Sequence, residues 1–400
     1  MSRKVYVALP VLNESANLPR LIECFYKQEM KDFRMVVCVN NYDHWWDDHG
    51  KMEQCADNQK SLKYLLSTDK LSVHVIDRCS PGRGWPDKRG GVGWARKMAM
   101  DEIIKEAEDS DIIVSIDADT YYPENYLSAI QNYFSNYSGS YGLSLPYFHK
   151  LTDEDTNRLI LRYEIYMRYY LLNMLQINNP YAFTALGSAM AFPVWAYKKV
   201  GGLKPVKSGE DFYFLQKLIK NGNIGLWAET IAYPSSRFSD RVLFGTGPAL
   251  IKGDRGDWES YPIYNYRNFA LIEKTFEKFP HLFVKDYSTP MDRFLKLQNQ
   301  DDNLWGALRQ NYKDPENFVK ACIRKVDGLR ILQFLRSEQQ KNSETNEISL
   351  IRYMDETGSY KTKMQSSFQN ISFETSSIKQ LDDLRIMLFK EEMRIRKARS

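Results

Sequence analysis

Cysteine, histidine and long apolar runs are all scarce in this sequence of 400 residues. The five cysteines are odd in number, scattered and without a C-x-x-C pair, which argues against a disulfide framework or a zinc site and favours a reducing environment. The five histidines show no metal-binding spacing. No apolar run approaches the roughly 18 residues of a membrane span, and the first residues lack the apolar stretch of a signal peptide. We therefore expect a cytoplasmic protein whose membrane contact, if any, is peripheral.

An excess of charge of one sign is missing as well. The chain has 55 Lys and Arg against 51 Asp and Glu, a net charge of +4, which gives no argument for nucleic-acid binding. The sequence also has no internal repeat. With 43% hydrophobic residues the chain can bury a sizeable core, so one large or two moderate globular domains are expected.

Short apolar strands alternate with helical patterns over the first 253 residues. Strands are predicted at 5–9, 35–39, 73–76, 112–116 and 186–192. A long polar insert, 42–69, separates the second strand from the third. Strands that alternate with helices at this spacing predict an α/β fold, with a mixed, mostly parallel sheet flanked by helices.

From residue 254 onwards the strands disappear and helical patterns remain, which predicts a mainly helical C-terminal region over 254–400. Its composition predicts flexible stretches near 337–347 and 359–377. The last helix carries four basic residues, Arg394, Arg396, Lys397 and Arg399. They leave open a peripheral contact with an anionic membrane, although a solvated or self-associating helix explains them more simply.

The fourth predicted strand ends in two carboxylates, Asp117 and Asp119. Ligands collect beyond the carboxyl ends of the strands in α/β sheets, so these side chains should face a crevice. Two close carboxylates repel each other unless a cation lies between them, and hard oxygen ligands suit Mg²⁺ or Mn²⁺ carrying a phosphate. The pair predicts a metal and diphosphate site, with a strand that ends in a polar turn as the alternative.

Four motifs occur in order along the first 250 residues. They are Pro10-Val-Leu-Asn13-Glu14 after the first strand, Gly93-Trp-Ala-Arg96 at the start of a helix, Asp117-Ala-Asp119, and Gly201-Gly202 followed by Glu210-Asp211. Each motif is weak alone. In this order they make residues 4 to about 250 resemble the family 2 glycosyltransferases, which have the GT-A fold. The resemblance covers about the first five-eighths of the chain and says nothing of the remainder.

The resemblance implies an inverting glycosyltransferase that moves a sugar from a nucleotide-diphosphate donor, with a UDP-sugar favoured, to a hydroxyl group of a saccharide or lipid-linked acceptor. It implies Mn²⁺ or Mg²⁺ held by Asp119 and Asp117, with Asp117 also contacting the donor. Asp211 matches the catalytic base and Glu210 its partner. A dication stabilises the charge that builds on a leaving diphosphate, and a carboxylate base must reach the attacking hydroxyl. Bacterial surface polysaccharide or lipopolysaccharide assembly is a common role in the family.

Other residues at these motifs become candidates for donor binding. They are Pro10, Leu12, Asn13, Glu14, Asn40, Asp77, Arg89, Arg96, Asp117, Arg237 and Arg241. The family usually has two aspartates where this chain has Asn40 and Asn41, and an Asn amide specifies a nucleobase less decisively than a carboxylate. Leu12 stands where an aromatic residue often stacks on the base. The nucleobase therefore stays open.

The segment after the predicted base helix also departs from the family. It contains no histidine that would serve as a further metal ligand. Arg237 and Arg241 occur there instead, and we hypothesise that they contact the diphosphate, because a guanidinium group suits phosphate oxygens. A surface ion pair beside Asp240 is the alternative. The C-terminal region would then bind the acceptor, a partner or a second copy of the chain.

Two other functions remain open. A sugar-nucleotide nucleotidyltransferase also needs paired acids and a metal, but it places a Gly-rich, Arg-containing loop directly after the first strand, where this chain reads Leu9-Pro-Val-Leu-Asn-Glu14. A catalytically silent nucleotide-sugar-binding protein is the second. The retained acids at 117, 119 and 211 argue against it, whereas Leu12, Asn40 and Asn41 leave room for it.

Overall fold

A computed structural model describes residues 3–152, 154–206, 208–238, 245–341, 344–357 and 368–399. The chain divides into two compact units. The first comprises residues 1–160, 183–257 and 396–400, and the second comprises 161–182 and 258–395. The second unit thus takes in a segment from the middle of the chain as well as most of the region that the sequence predicts to be helical.

Seven strands form one sheet in the described part of the first unit. They are β1 (Val5–Val11), β2 (Phe33–Asn40), β3 (Val73–Arg78), β4 (Ile112–Ser115), β5 (Gly142–Ser144), β6 (Met190–Pro193) and β7 (Ile224–Gly225). Their order is β3-β2-β1-β4-β6-β5-β7. Strands β1 to β4 are parallel, β6 is antiparallel to both of its neighbours, and β5 is parallel to β7. The prediction of a mixed, mostly parallel α/β sheet is confirmed.

Continuous apolar runs form the central strands because helices cover the sheet. Every residue of β1 and β4 is buried, as parallel strands with both faces covered require. The helices in or entering this unit are α1 (Leu18–Tyr26), α2 (Met52–Ser67), α3 (Val92–Ile103), α4 (Tyr126–Asn136), α5 (Glu154–Gln176), α6 (Val194–Lys199), α7 (Glu210–Ile219) and α8 (Thr246–Asp254). Helix α3 packs against β1 and β2 and so lies beside the centre of the sheet.

Two local features differ from what the sequence pattern indicates. The polar insert contains the 16-residue helix α2, whose buried face mixes Cys55, Leu62 and Leu65 with the polar Asn58 and Ser61 and so gives only a weak apolar stripe. The strand predicted over 186–192 is shorter, because the chain turns at 187–189 and β6 starts only at residue 190. Small residues fit both a strand and a tight turn, and the sequence pattern does not separate the two.

The second unit consists of helices and connecting loops, without a strand among its described residues. Besides the greater part of α5 it contains α9 (Tyr266–Leu282), α10 (Asp292–Asn299), α11 (Gly306–Asn311), α12 (Pro315–Lys325), α13 (Gly328–Gln339), α14 (Asn346–Glu356) and most of α15 (Ile378–Ala398). Asp314 and Asp327 cap α12 and α13, because each carboxylate accepts a hydrogen bond from a backbone N–H of the first turn. None of the described helices is both long and apolar enough to cross a bilayer.

Four buried charged residues join α5 to α15 inside the second unit. Arg168 donates to Glu164 at 2.5 Å and pairs with Glu392, while Arg385 Nη1 lies 3.3 Å from Glu164 Oε2. All four side chains are at most 2% exposed. Removing one partner from such a group leaves an uncompensated buried charge, so these residues fix how the two helices pair.

The predicted flexible stretches are described only in part. In the first, α13 ends at Gln339 and α14 begins at Asn346, and residues 342–343 lie outside the described chain. In the second, residues 359–367 lie outside it, and the remainder contributes Phe368, Ile371 and Phe373 to the core.

The basic cluster at the end of α15 is not a uniformly exposed surface. Arg396, which belongs to the first unit, is buried and donates to the carbonyl oxygens of Ser144 at 3.0 Å and Leu226 at 2.8 Å. Arg394 forms an ion pair with Glu391. Arg396 therefore stabilises the sheet, and its buried charge is not accessible to a membrane surface.

Candidate active site

The predicted site residues follow strands that end at one edge of the sheet. The carboxyl ends of β1, β2, β3 and β4 lie side by side because these strands are parallel neighbours. The first motif follows β1, Asn40 ends β2, Asp77 lies in β3, and Asp117 and Asp119 follow β4. The sheet therefore brings together segments that are far apart in the sequence.

Arg96 of α3 is the centre of this edge. Its buried guanidinium group lies 2.9 Å from Asp117 Oδ1 and 3.2 Å from Glu210 Oε1. It also donates to Ser115 Oγ at 2.6 Å and to the carbonyl oxygen of Gly187 at 3.0 Å. One side chain thus ties α3 to the end of β4, to the turn before β6 and to the start of α7. We call these residues the Arg96 cluster.

Two glycines allow this cluster to form. A Cβ atom at Gly187 would lie 2.4 Å from Arg96 Nη2 and 2.8 Å from Arg96 Cζ, so a larger residue would occupy the place of the guanidinium group. A Cβ atom at Gly93 would lie 2.5 Å from the carbonyl oxygen of Val206. Gly93 therefore lets α3 approach the segment that leads into α7, which gives the Gly93-Trp-Ala-Arg96 motif a physical reason.

The acids Glu210 and Asp211 form the first turn of α7. Burial, reinforced by the neighbouring charge of Asp211 and opposed by Arg96, raises the pKa of Glu210 to about 7. Burial also raises the pKa of Asp211, against the opposing effect of Arg96, and its Oδ1 accepts a hydrogen bond from Phe212 N at 2.8 Å. A raised pKa at the buried Glu210 and at the half-buried Asp211 is what a general base near neutral pH requires.

Arg237 connects the first motif with the second aspartate of the D-x-D pair. Its Nη2 lies 2.9 Å from Asp119 Oδ2, and it forms a second ion pair with the buried Glu14. Burial lowers the pKa of Arg237, but the charges of Asp119 and Glu14 outweigh that effect and hold the pKa above its ordinary value. The second arginine of our hypothesis, Arg241, lies outside the described residues.

A divalent cation is compatible with the D-x-D carboxylates by the chemistry of their oxygens. Asp117 uses Oδ1 for Arg96 and keeps Oδ2 outside that ion pair, whereas Asp119 shares Oδ2 with Arg237. No group of three His, Cys, Asp or Glu side chains suited to a metal occurs in the described part of the chain. The residues present therefore fit a cation only if phosphate and water oxygens complete its shell, as Mg²⁺ commonly requires.

The ends of β1 and β2 are joined by buried amides. Asn40 Nδ2 donates to the carbonyl oxygen of Val11 at 2.8 Å, and Asn40 Oδ1 accepts from Trp85 Nε1 at 3.0 Å. Asn58 of α2 accepts from Asn13 N at 2.8 Å and donates to the carbonyl oxygen of Asn40 at 3.1 Å. The Asn40 side chain thus has a structural use at the very place where we expect the nucleobase.

Asn58 is a site residue that the sequence reasoning missed. It is completely buried and holds the loop that carries Asn13, which adopts a φ of 55°. The signal was a polar residue on the same face of a helix as Cys55 and Leu62, at intervals of three and four. It was missed because the insert was not recognised as a helix.

The remaining candidates lie at the same strand ends. Pro10 is buried within β1, Leu12 is half-buried, and Asn13 is exposed. Asp77 Oδ1 accepts from Cys79 N at 3.0 Å and Ser80 N at 2.9 Å; burial would raise the pKa of Asp77, but these hydrogen bonds lower it. Arg89 is exposed, and its guanidinium lies 5.4 Å from the ring centre of Trp94.

No family model and no curated protein sequence matches this chain. Among solved structures, the chain is similar to S. aureus TarS 1–349 in complex with UDP-GlcNAc, at 14% identity and a TM-score of 0.41, over 84% of this chain and 92% of that one. It is similar to the mannosyltransferase PcManGT from Pyrobaculum calidifontis in complex with GDP-Man and Mn²⁺, at 13% identity and a TM-score of 0.41, over 86% and 88%. Values this low assign neither activity nor ligand to this chain.

Proposed function

We propose that this chain is a glycosyltransferase that moves a sugar, with inversion, from a nucleotide-diphosphate donor to a hydroxyl acceptor. The observation that carries the proposal is the Arg96 cluster. One buried guanidinium group joins Asp117, the first acid of the D-x-D pair, to Glu210, 114 positions from Arg96 in the sequence. Keeping these charged groups buried costs free energy. Such a cluster at the ligand-binding edge of an α/β sheet is expected of a site that stabilises charge on its substrate.

The chemistry follows from the positions of the acids and arginines. Asp211 takes the proton of the acceptor hydroxyl while the hydroxyl oxygen attacks the anomeric carbon. The new carbon–oxygen bond forms on one face of the sugar as the bond to phosphate breaks on the other, and the electron pair leaves with the nucleotide diphosphate. Arg96 and Arg237 place positive charge beside the D-x-D carboxylates, where that negative charge develops.

Asp119 and Asp117 are the residues that would hold Mn²⁺ or Mg²⁺. When bound, the cation supplies further positive charge for the departing diphosphate. We favour a UDP-sugar as the donor. We also propose that the protein acts in the cytoplasm, in the assembly of a bacterial surface polysaccharide or lipopolysaccharide. Residues 254–400 would contact the acceptor, a partner or a second copy of the chain.

A panel of donors tests the proposal. UDP-GlcNAc, GDP-Man and CDP-linked ligands should be compared for thermal stabilisation with Mn²⁺ and with a chelator, because a selectively bound ligand raises the melting temperature. We expect donors of one nucleotide class to raise the melting temperature. With an acceptor present, the same donors should yield the free nucleotide diphosphate. If no donor raises the melting temperature, the donor site is absent. Product analysis with nucleoside triphosphate and sugar 1-phosphate detects the nucleotidyltransferase alternative through release of pyrophosphate.

Replacing Arg237 with Ala should raise the donor KM by roughly 10- to 100-fold, the effect of losing a hydrogen bond to a charged group. The reason is that its guanidinium group lies against Asp119, where the diphosphate is expected. The matched control is Arg34→Ala, since Arg34 is 32% exposed against 35% for Arg237 and pairs with Glu106 on another surface. Unchanged donor kinetics in Arg237→Ala would remove this residue from the donor site.

The rate should fall as the pH drops below about 7 because Glu210 then takes up a proton. A protonated Glu210 no longer balances the charge of Arg96, and the cluster rearranges around the base. In Glu210→Gln no proton can be taken up at this position, so we expect the decline near pH 7 to disappear and only a decline at lower pH to remain. The measurement is kcat against pH for both proteins. A decline that stays at pH 7 in the variant would assign it to another group.

A further inference from the structure

A cavity of about 650 Å³ lies in the first unit, between α4 and the segment that follows β7. We call it the α4 groove. The residues that give it its character are Asn132, Asn136, Tyr137, Trp227, Glu29 and Glu229. None of the residues of the Arg96 cluster lines it, so the groove is a separate feature of this unit.

The α4 side of the groove carries exposed polar side chains that do not serve the packing of the unit. Asn132 and Asn136 are both exposed and lie four residues apart, which places them on one face of α4. Neither amide forms a hydrogen bond within the described chain. Tyr137 is 45% exposed; one face of its ring meets Tyr133, with 5.0 Å between the ring centres. The wall therefore offers two amides and one open aromatic face.

The opposite wall and the charges narrow the class of ligand. Trp227 is half-buried and has no aromatic partner in the part of the chain that the structure describes. No Lys or Arg lines the groove, whereas two carboxylates, Glu29 and Glu229, do. Phosphate-rich or otherwise anionic ligands are therefore disfavoured. Amides both donate and accept, as sugar hydroxyls require, and aromatic rings suit the apolar faces of sugar rings.

Two neighbouring segments, 119–125 and 229–237, lead from the groove to the D-x-D pair. Three contacts join them in order: Asn125 Nδ2 to Glu229 O at 2.8 Å, Tyr121 N to Tyr233 O at 2.9 Å, and Arg237 Nη2 to Asp119 Oδ2 at 2.9 Å. The ring of Tyr121 is 40% exposed along this path. The shorter segment has seven residues and spans at most about 25 Å when extended. A chain of several sugar units is therefore long enough to cover the path.

We propose that the α4 groove binds neutral sugar units of the acceptor, several units away from the hydroxyl that reacts. The inference rests on the proposed function and deepens it, because it makes the acceptor an extended saccharide chain.

Binding of saccharides without any donor tests this inference separately from catalysis. The probes are disaccharides and hexasaccharides of glucose, mannose, galactose and N-acetylglucosamine, with polyphosphate and oligolysine as charged comparisons, titrated by calorimetry. We expect at least one hexasaccharide to bind about tenfold more tightly than its disaccharide. If no hexasaccharide binds, or if only oligolysine or polyphosphate does, the inference is overturned. If a hexasaccharide binds in the groove but no donor is ever used, the proposed function fails and the groove assignment stands.

Variants locate the binding. Tyr137→Ala and the double variant Asn132→Ala/Asn136→Ala change exposed side chains and should fold normally. Each should weaken the hexasaccharide about tenfold, the size of one good aromatic or polar contact, and leave kcat with a disaccharide acceptor unchanged. Tyr26→Ala is the control, because Tyr26 is 51% exposed and lies outside the groove. Equal weakening by the control, or none by the groove variants, would refute the assignment.

Discussion

Replacing Asp211 with Asn should lower kcat by about 10²- to 10⁴-fold, the usual contribution of a general base, while donor binding is retained. Asparagine has the size of aspartate and still accepts the hydrogen bond from Phe212 N, but it cannot take up the proton of the acceptor. The measurement is transfer at saturating donor and acceptor, together with the melting temperature in the presence of donor.

The control for this variant is Asp314→Asn. Asp314 also accepts a hydrogen bond from a backbone N–H, that of Asn317 at 2.8 Å, and it caps a helix of the second unit. Asparagine is an equally good cap, so this change should affect neither stability nor rate. If Asp211→Asn retains a rate close to that of the wild type, the base is another group, and a wild type no faster than the variant on every donor favours the silent binding protein.

The second large effect is expected from a single methyl group. Gly187→Ala would place Cβ 2.4 Å from Arg96 Nη2, and the guanidinium group cannot move without leaving Asp117 and Glu210. Breaking a buried ion pair costs about 3–5 kcal/mol, so the free energy of unfolding should fall by about this amount and activity should fall with it. Denaturant unfolding and kcat measure the two effects.

Gly139→Ala is the matched comparison. No heavy atom lies within 4 Å of a Cβ at that position, and its φ is outside the left-handed range, so the same substitution should be nearly silent. A Gly187→Ala protein as stable and active as the wild type would show that Arg96 is not held at this position.

Features of the fold that leave a local pattern in the sequence were predicted well. The ends of the first four strands lie within two residues of the predicted ranges, because continuous apolar runs identify buried strands. The convergence of Arg96, Asp117 and Glu210 follows from the motif order, since parallel strands end at one edge. Those contacts bring the three site residues together, while their roles stay predictions.

What the sequence could not predict depends on contacts between distant residues. The partners of Arg237, at positions 14 and 119, leave no periodic trace. Arg396 looks like part of a basic surface, yet it is buried against two backbone carbonyls. Helix α2 was not predicted because its buried face is partly polar, and the role of Asn58 was missed for the same reason. In each case a polar side chain has a buried partner that only the fold supplies.

The antiparallel direction of β6 has a consequence for how the site could be altered. Because β6 runs against β4, from Met190 opposite Ser115 to Pro193 opposite Ile112, the chain enters this strand at the reactive edge. Just before the turn, Phe183 and Thr184 are buried, and the carbonyl oxygen of Thr184 accepts a hydrogen bond from Ser144 Oγ of β5 at 2.8 Å. The half-buried Ala185 and Leu186 lie outside the strand pairing, so an exchange of sequence at this edge is best confined to these two positions.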